Sequence, residues 1–295
     1  MQFLSCLFLG IVQGLTEFFP VSSSAHLALF QNLFRMDVGS SILFDVLLHV
    51  GTLFVIIWFY RRQIGKMILA FFGMIGDLFA NGKIRRANKK AAEAGEDPRP
   101  LRCVTGTNYR RFVVLIIIST IPTGIIGFLG RKLVDDASRT LLVPGICLLV
   151  TGCILLLSRK AVNNTRIPQD IGWKEALIIG IAQGFATMPG LSRSGLTITI
   201  CLLFGFDCGF AVMYSFILSV PAVLGATILE LKDVSGEVLS GGSIAAYIAG
   251  MAAAAVVGFF CIRKVIEIVK KKKYYCFAYY CFAVGAVALI GSFFL

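Results

Sequence analysis

The chain has 295 residues, of which 57% are hydrophobic and 15% charged, with a net charge of +12 and a mean hydropathy of +0.84. A soluble domain is nearer half apolar and a quarter charged, so the composition excludes an ordinary soluble protein. It predicts an all-α polytopic membrane protein that forms a single integral membrane domain over residues 1–295.

The first predicted element is a broken helical hairpin over residues 1–35. Its apolar run is interrupted by "QGLTEFFPVSSSAH" (13–26), which inserts a glutamate, a proline, three serines and a histidine. The apolar helices on either side have roughly 12 residues, too few to cross a hydrocarbon core of roughly 30 Å. Irregular backbone at membrane depth is tolerated only where protein buries it or where it lines a wet cavity. We therefore expect a re-entrant hairpin.

About six transmembrane helices are predicted from apolar runs of sufficient length. They cover 41–60, 112–130, 141–158, 209–229, 243–262 and 275–295. Residues 62–80 fit best as a helix at the cytoplasmic membrane interface, and 81–107 as a basic cytoplasmic loop.

The basic segments set the predicted orientation, because Lys and Arg are enriched on the cytoplasmic side of membranes. These segments are 61–111, 159–174 and 263–273. Loops at about 131–140 and 230–242 then face outside. Nucleic-acid binding is a poor alternative, because the basic segments flank membrane helices.

A second broken hairpin is predicted over 173–207, where "PGLSRSGLT" (189–197) interrupts the apolar run. A shift of 170 residues superimposes a Gln-Gly pair and a Ser-x-Ser pair of the first hairpin on those of the second. The repeats are about 1–60 and about 173–230, and the basic segments give their hairpins opposite orientations. An inverted-topology repeat with two re-entrant hairpins predicts a site near the membrane midplane, between the repeats.

The two breaks carry complementary chemistry. Gln13 and Glu17 share one helix face, and His26 lies in the first turn of the next helix. In the second break, serines flank Arg193 at a helix entry. Helix N-termini offer unpaired N–H groups and a positive dipole end, and a guanidinium adds a fork of donors. Together these groups predict an anion site, with phosphate as its natural ligand.

The same residues also admit structural interpretations. An intramembrane Glu, His and Arg can satisfy one another, and each serine can be a helix cap only. Gln13 can serve as a hydrogen-bonding residue between helices. Asp45 and His49 lie in a predicted spanning helix, and either face the site or make structural hydrogen bonds.

A transporter is the strongest alternative function. Inverted repeats with broken helices suit the movement of an anion or the flipping of a polyprenyl phosphate. A transporter does not need an acid, an imidazole, serines and an arginine around one phosphate-sized point. A structural scaffold is a weaker alternative, because it leaves the buried charges unexplained.

The two motifs resemble the signature segments of the bacterial undecaprenyl-diphosphate phosphatases of the bacitracin-resistance type. That pattern is E/Q-x-x-x-E, a Ser-rich turn and a His, followed by P-G-x-S-R-S-x-x-T. Both parts are complete here, and the resemblance covers essentially the whole chain. The first acid of the pair is replaced by Gln13, and the basic insert around 81–107 is larger than usual.

The resemblance implies an enzyme of the bacterial plasma membrane that hydrolyses undecaprenyl diphosphate to undecaprenyl phosphate and inorganic phosphate. It would recycle the lipid carrier of peptidoglycan and other cell-wall polymers and confer bacitracin resistance. It also implies an active site on the extracytoplasmic side, a divalent metal (Mg²⁺ or Ca²⁺) and interlocked inverted repeats. Shorter prenyl diphosphates and a homodimer are further expectations.

Carried onto this sequence, the resemblance assigns catalysis to Glu17, His26, Arg193 and Ser23. Arg193 would neutralise the diphosphate, and Glu17 with Gln13 would bind the metal or orient water. His26 would be a nucleophile or a general acid–base group, and Ser23 a rival nucleophile activated by His26. The substrate-binding residues would be Ser22, Ser24, Ser192, Ser194, Thr197 and Gly190. A phospho-enzyme and direct attack by water both remain open.

Overall fold

The computed structural model describes residues 2–33, 36, 38, 41–138, 140–233 and 241–293. Over these residues the chain forms twelve α-helices and three short 3-10 helices. The α-helices are α1 (Gln2–Thr16), α2 (Ser23–Leu33), α3 (Ser41–Phe59), α4 (Arg61–Ala94), α5 (Asn108–Leu129), α6 (Arg131–Ser138), α7 (Leu142–Leu157), α8 (Trp173–Phe185), α9 (Arg193–Leu203), α10 (Cys208–Asp233), α11 (Gly241–Lys270) and α12 (Phe277–Gly291). The 3-10 helices are Ser158–Lys160, Pro168–Asp170 and Tyr274–Cys276.

Six of the described helices are long and apolar enough to cross a membrane, which confirms the all-α polytopic prediction. They are α4, α5, α10, α11, α7 together with Ser158–Lys160, and α12 together with Tyr274–Cys276. The predicted span 41–60 is α3, whose described apolar part, Leu43–Phe59, is among the shorter apolar helices. The predicted outer loop 131–140 contains α6, and the other, 230–242, lies largely outside the described residues.

Helix α4 corrects the prediction of a loop over 81–107, because residues 81–94 continue the helix that begins at Arg61. Ala, Lys, Arg and Glu dominate this stretch and favour helix. The helix ends at Gly95, whose φ of 76° is the left-handed conformation of a C-terminal cap. The chain then folds back along α4, where the Asn81 and Asn88 side chains bind the backbones of Arg102 and Arg99.

Helix α4 crosses α5 near the basic N-terminal end of α5 and does not run along it. Lys66 Nζ lies 5.3 Å from the centroid of the Tyr109 ring, and Asp77 pairs with Arg110 at 2.7 Å. Lys66 and Asp77 are about 16 Å apart along the helix axis, yet both reach the first turn of α5. The interfacial placement of 62–80 stays a prediction, because α4 is also long enough to span.

Close helix packing follows the internal repeat. Helix α1 packs along α11, and α8 packs along α5. A Cβ at Gly10 would lie 2.2 Å from the Gly250 carbonyl oxygen, and one at Gly180 would lie 2.2 Å from that of Ser119. Small residues allow such close approach between membrane helices. The two copies therefore make equivalent contacts, while their opposite orientation in the membrane stays a prediction.

Helices α7 and α12 pack together, and each supports one break. On α7, Thr151 Oγ1 donates to the Gly190 carbonyl (3.0 Å) and accepts from the Ser192 N–H (3.1 Å). On α12, Cys281 Sγ donates to the Pro20 carbonyl (3.4 Å). Backbone groups freed by the breaks thus find partners inside the protein, as their depth requires.

Gly190 is required at its turn for two reasons. Its φ is 96°, in a region that residues with a side chain rarely adopt. A Cβ there would also lie 2.3 Å from the Pro144 carbonyl oxygen on α7. The break is therefore pressed directly against the supporting helix.

We predict that Gly10→Ala destabilises the protein by about 1–3 kcal/mol, because the new methyl group overpacks the contact with Gly250. Thermal unfolding in detergent measures the effect. Gly76→Ala on α4 is the matched control, since nothing lies within 4 Å of its Cβ position. Equal stability of the two variants would contradict the packing proposed for α1 and α11.

We predict that Thr151→Val costs about 1–3 kcal/mol, because it leaves the buried Ser192 N–H without its hydrogen-bond acceptor. Thermal unfolding and faster hydrogen exchange at the Ser192 amide report the change. Thr120→Val is the control, since among the described residues Thr120 Oγ1 bonds only the carbonyl of Ile116, one turn back in its own helix. Unchanged exchange at Ser192 would show that Thr151 does not hold the second break.

Candidate active site

The two breaks meet at an ion pair between Glu17 and Arg193. Arg193 is the first residue of α9, and its Nη2 contacts Oε1 of Glu17, which follows the end of α1. The two residues are 176 positions apart in sequence. The side chains of Glu17 and Arg193 are 6% and 22% exposed. The two breaks, which the sequence predicts to contribute to one site, are therefore in direct contact.

The second carboxylate oxygen of Glu17 gathers the polar groups of the first break. Glu17 Oε2 accepts hydrogen bonds from Ser23 Oγ at 2.7 Å and from Gln13 Nε2 at 3.1 Å. Gln13 Nε2 also lies 3.2 Å from His49 Nδ1, and His49 Nδ1 lies 3.7 Å from Glu17 Oε2. Gln13, Glu17, Ser23, His49 and Arg193 thus form one cluster, which we call the carboxylate cluster.

The structure places His49 in the carboxylate cluster. Its ring nitrogen Nδ1 faces Gln13 and Glu17 from α3, and its side chain is 32% exposed. The sequence signal was the presence of an ionisable residue inside an apolar helix. Asp45, one turn earlier on α3, keeps one buried oxygen, Oδ1, without a hydrogen bond in the described part of the chain.

His26 lies beside the carboxylate cluster with its ring bonded elsewhere. Its Nδ1 lies 2.8 Å from the Ser22 carbonyl oxygen, and its Nε2 lies 2.9 Å from the Tyr280 hydroxyl. Ser22 has a φ of 64°, a strained value for a residue with a side chain. Such strain is characteristic of functional turns. No sequence signal distinguishes Tyr280, because it lies in an apolar helix with other aromatic residues.

Ser23 is bonded to Glu17 and not to His26 in this arrangement. The expectation that His26 activates Ser23 directly is therefore not what the contacts show, because both ring nitrogens of His26 have other partners. The turn places Ser23 Oγ toward α1 and the imidazole toward α12.

The remaining predicted binding residues surround the two helix entries. Ser192 is the N-cap of α9, with its Oγ accepting from the Gly195 N–H at 3.0 Å. Ser194 Oγ lies 3.4 Å from Ser192 Oγ, and Ser22 Oγ lies 3.2 Å from Ser24 Oγ. Thr197 turns toward α10, where its Oγ1 is 2.5 Å from Ser215 Oγ. Thr197 is thus bonded to the scaffold, while the serines line the helix entries.

The cluster has the chemistry to bind a phosphate anion. A guanidinium has five N–H donors, and the ion pair with Glu17 occupies one nitrogen of Arg193. Arg193 also stands at the positive end of α9. These donors, together with the two Ser-capped helix entries, can surround a phosphate group.

The oxygen ligands present also fit a divalent cation that the substrate helps to coordinate. Gln13 Oε1 is buried without a hydrogen-bond partner among the described residues, and Nε2 of the same amide donates to the Glu17 carboxylate. Mg²⁺ is commonly bound by one or two carboxylates together with substrate phosphates. No described group of three or more His, Cys, Asp and Glu residues forms a self-sufficient metal site.

Comparison with known proteins agrees with these features over almost the whole chain. The family model for "Bacitracin resistance protein BacA" matches residues 6–287. The undecaprenyl-diphosphatase of Alkaliphilus metalliredigens (strain QYMF) is 41% identical over 284 residues, which are 96% of each chain. That of Methanobrevibacter smithii is 40% identical over 293 residues, 99% of this chain and 98% of the relative. The chain therefore belongs to the BacA family of bacitracin resistance proteins.

Proposed function

We propose that this protein is an integral membrane undecaprenyl-diphosphatase, which hydrolyses undecaprenyl diphosphate to undecaprenyl phosphate and inorganic phosphate. The Glu17–Arg193 ion pair carries the proposal, because it joins a carboxylate, a serine hydroxyl and a guanidinium at one point. The relatives named undecaprenyl-diphosphatase align over nearly the whole chain, which supports the same activity.

Substrate binding is assigned to Arg193 and the two helix entries. Arg193 pairs with the diphosphate, and Ser192 and Ser194 present the N-terminus of α9 to its oxygens. Ser22 and Ser24 do the same at α2. Such preorganised donors stabilise the charge that develops on the phosphoryl oxygens during transfer.

Glu17 is assigned the orientation of the nucleophile. Ser23 Oγ donates to Glu17 Oε2, so the carboxylate holds either Ser23 or a water in its place. The partnership with Arg193 stabilises the charged form of Glu17, which suits it to orienting a hydroxyl group. A divalent cation, Mg²⁺ or Ca²⁺, would be held by Glu17 and Gln13 Oε1 and would supply further neutralisation of phosphate charge.

A hydrolase is favoured over the transporter or flippase alternative. The relatives above are named for diphosphate hydrolysis, and the cluster contains a hydroxyl group bonded to a carboxylate, which a carrier of anions does not need. The apolar helices around the site would keep a prenyl tail in the bilayer while its diphosphate reaches Arg193.

The cellular setting follows from the same proposal. The enzyme would act in the plasma membrane with its site open to the extracytoplasmic side, and would recycle the carrier lipid of peptidoglycan. This orientation rests on the basic segments, since Lys and Arg favour the cytoplasmic side. Activity on shorter prenyl diphosphates and assembly as a homodimer belong to the proposal as well.

We predict that the purified protein releases phosphate from undecaprenyl diphosphate and that Arg193→Ala lowers kcat by about 100- to 1000-fold, through loss of charge stabilisation. EDTA should suppress release by the wild type, and added Mg²⁺ or Ca²⁺ should restore it. Phosphate release in detergent is the measurement, with farnesyl diphosphate as the shorter substrate.

Two further variants make this test specific. Arg85→Ala removes an exposed arginine on α4 and should leave kcat unchanged. Arg193→Lys keeps the positive charge beside Glu17 but lacks the planar fork of the guanidinium. A low kcat in folded Arg193→Lys protein therefore indicates a catalytic defect and not a folding defect. No release from any prenyl diphosphate by folded wild-type protein would overturn the hydrolase and direct attention to flux assays in liposomes.

We predict that residue 86 on α4 faces the cytoplasm and residue 132 on α6 faces outside. Single cysteines at these positions, in a protein lacking its nine natural cysteines, can be labelled with an impermeant maleimide in intact cells. Only position 132 should react until the membrane is permeabilised. The reverse pattern would invert the proposed orientation.

A further inference from the structure

The imidazole of His26 is held at both ends. Its Nδ1 faces the Ser22 carbonyl oxygen at 2.8 Å, and its Nε2 faces the Tyr280 hydroxyl at 2.9 Å. The two rings are parallel within 3°, with centroids 5.6 Å apart. His26 is 3% exposed, whereas Tyr280 is 46% exposed. The buried imidazole is therefore bonded to a residue that is itself partly exposed.

These contacts assign the hydrogen positions of a neutral ring. A carbonyl oxygen only accepts, so Nδ1 must carry the hydrogen that is donated to Ser22. The other nitrogen, Nε2, then has the lone pair and accepts from the Tyr280 hydroxyl. Nε2 is the nitrogen left for acid–base chemistry, and Tyr280 is its partner.

The helix that carries Tyr280 is fixed to the first break by two neighbouring residues. Phe277 stacks on Phe19 with ring centroids 5.2 Å apart, and Cys281 Sγ donates to the Pro20 carbonyl. Residues 277, 280 and 281 lie on one side of α12. Tyr280 is thus placed against His26 by the same helix face that holds the turn.

We propose that Tyr280 is a catalytic residue that relays a proton from the attacking water to His26 Nε2 and that also orients the imidazole. This inference rests on the proposed diphosphatase activity. It also explains how His26 can take part in the reaction. His26 is buried and does not hydrogen-bond to Ser23, so its proton exchange with the site passes through Tyr280.

The proton transfer balances with water as the attacking group and needs no other reactant. Glu17 accepts a hydrogen bond from one hydrogen of this water. As the water oxygen forms its bond to phosphorus, its other O–H bond breaks and that proton passes to Tyr280 Oη. The hydrogen of Tyr280 passes to His26 Nε2, which leaves an imidazolium bound to the Ser22 carbonyl. The bridging P–O bond breaks, and its electron pair leaves with the prenyl phosphate. Glu17, stabilised as an anion by Arg193, orients the nucleophile and does not have to keep the proton.

The test is Tyr280→Phe, which removes the hydroxyl and keeps the ring. We expect kcat to fall by about 100-fold, as for the loss of general acid–base assistance, with KM within about twofold of wild type. Tyr279→Phe is the matched control, because Tyr279 is the adjacent residue and is 59% exposed. It should retain the wild-type kcat.

Two further readouts separate this role from a structural one. Tyr280→Phe should slow a His26→Ala enzyme no further, since two residues that act through one step are not additive. The chain has only two histidines, so ¹⁵N-histidine NMR can follow the ring signals that vanish in His26→Ala. In Tyr280→Phe the Nε2 signal should shift, while Nδ1 stays protonated.

The outcomes distinguish failure of the Tyr280 inference from failure of the proposed diphosphatase activity. A normal kcat in Tyr280→Phe, an unshifted His26 ring signal, or an equal loss in Tyr279→Phe would each overturn the inference alone. A full additional loss in the double variant would also overturn it. Absence of phosphate release by wild type would overturn the proposed diphosphatase, and this inference with it.

Discussion

The structure depends on keeping two opposite charges together inside an apolar protein. An unpaired Glu17 or Arg193 at membrane depth would cost several kcal/mol, and removal of one partner would leave the other uncompensated. Their contact joins α9 to the end of α1 across 176 positions of sequence. The remaining groups of the carboxylate cluster follow from this pair, because Ser23 and Gln13 satisfy the oxygen of Glu17 that faces away from the guanidinium.

A second constraint concerns the backbone at the breaks. Each interrupted helix leaves N–H and C=O groups that lipid cannot satisfy. Helices α7 and α12 meet this need from outside the breaks, through Thr151 at the second and Cys281 at the first. Helices α5 and α11 press against α8 and α1 at Gly180 and Gly10. Most of the chain is thus a scaffold that makes two short irregular turns tolerable.

The site combines groups that differ in how firmly they are held. Glu17 and Gln13 are buried and mutually bonded, whereas Arg193 and His49 are partly exposed. The buried pair suits a fixed orienting role, and the exposed groups suit contact with an incoming anion. Glu17 is the one carboxylate in the cluster, and the amide oxygen Oε1 of Gln13 has no hydrogen-bond partner in the described part of the chain. Tyr280, which is partly exposed, bonds the buried imidazole of His26 through its hydroxyl.

The sequence by itself determined the class of protein, the two breaks and the residues Glu17, Ser23 and Arg193. Burying a polar or charged residue in an apolar membrane segment costs free energy, so such residues are rare and can be recognised from the sequence. Composition also located most of the long helices, although it missed that α4 continues through residue 94, because a basic segment can be helix as well as loop. Only the tertiary structure decided that His49 joins the carboxylate cluster and that Tyr280, and not Ser23, bonds His26. Those choices depend on how helices far apart in sequence rotate and pack, and hydrophobic patterning does not record the rotation of an apolar helix about its own axis.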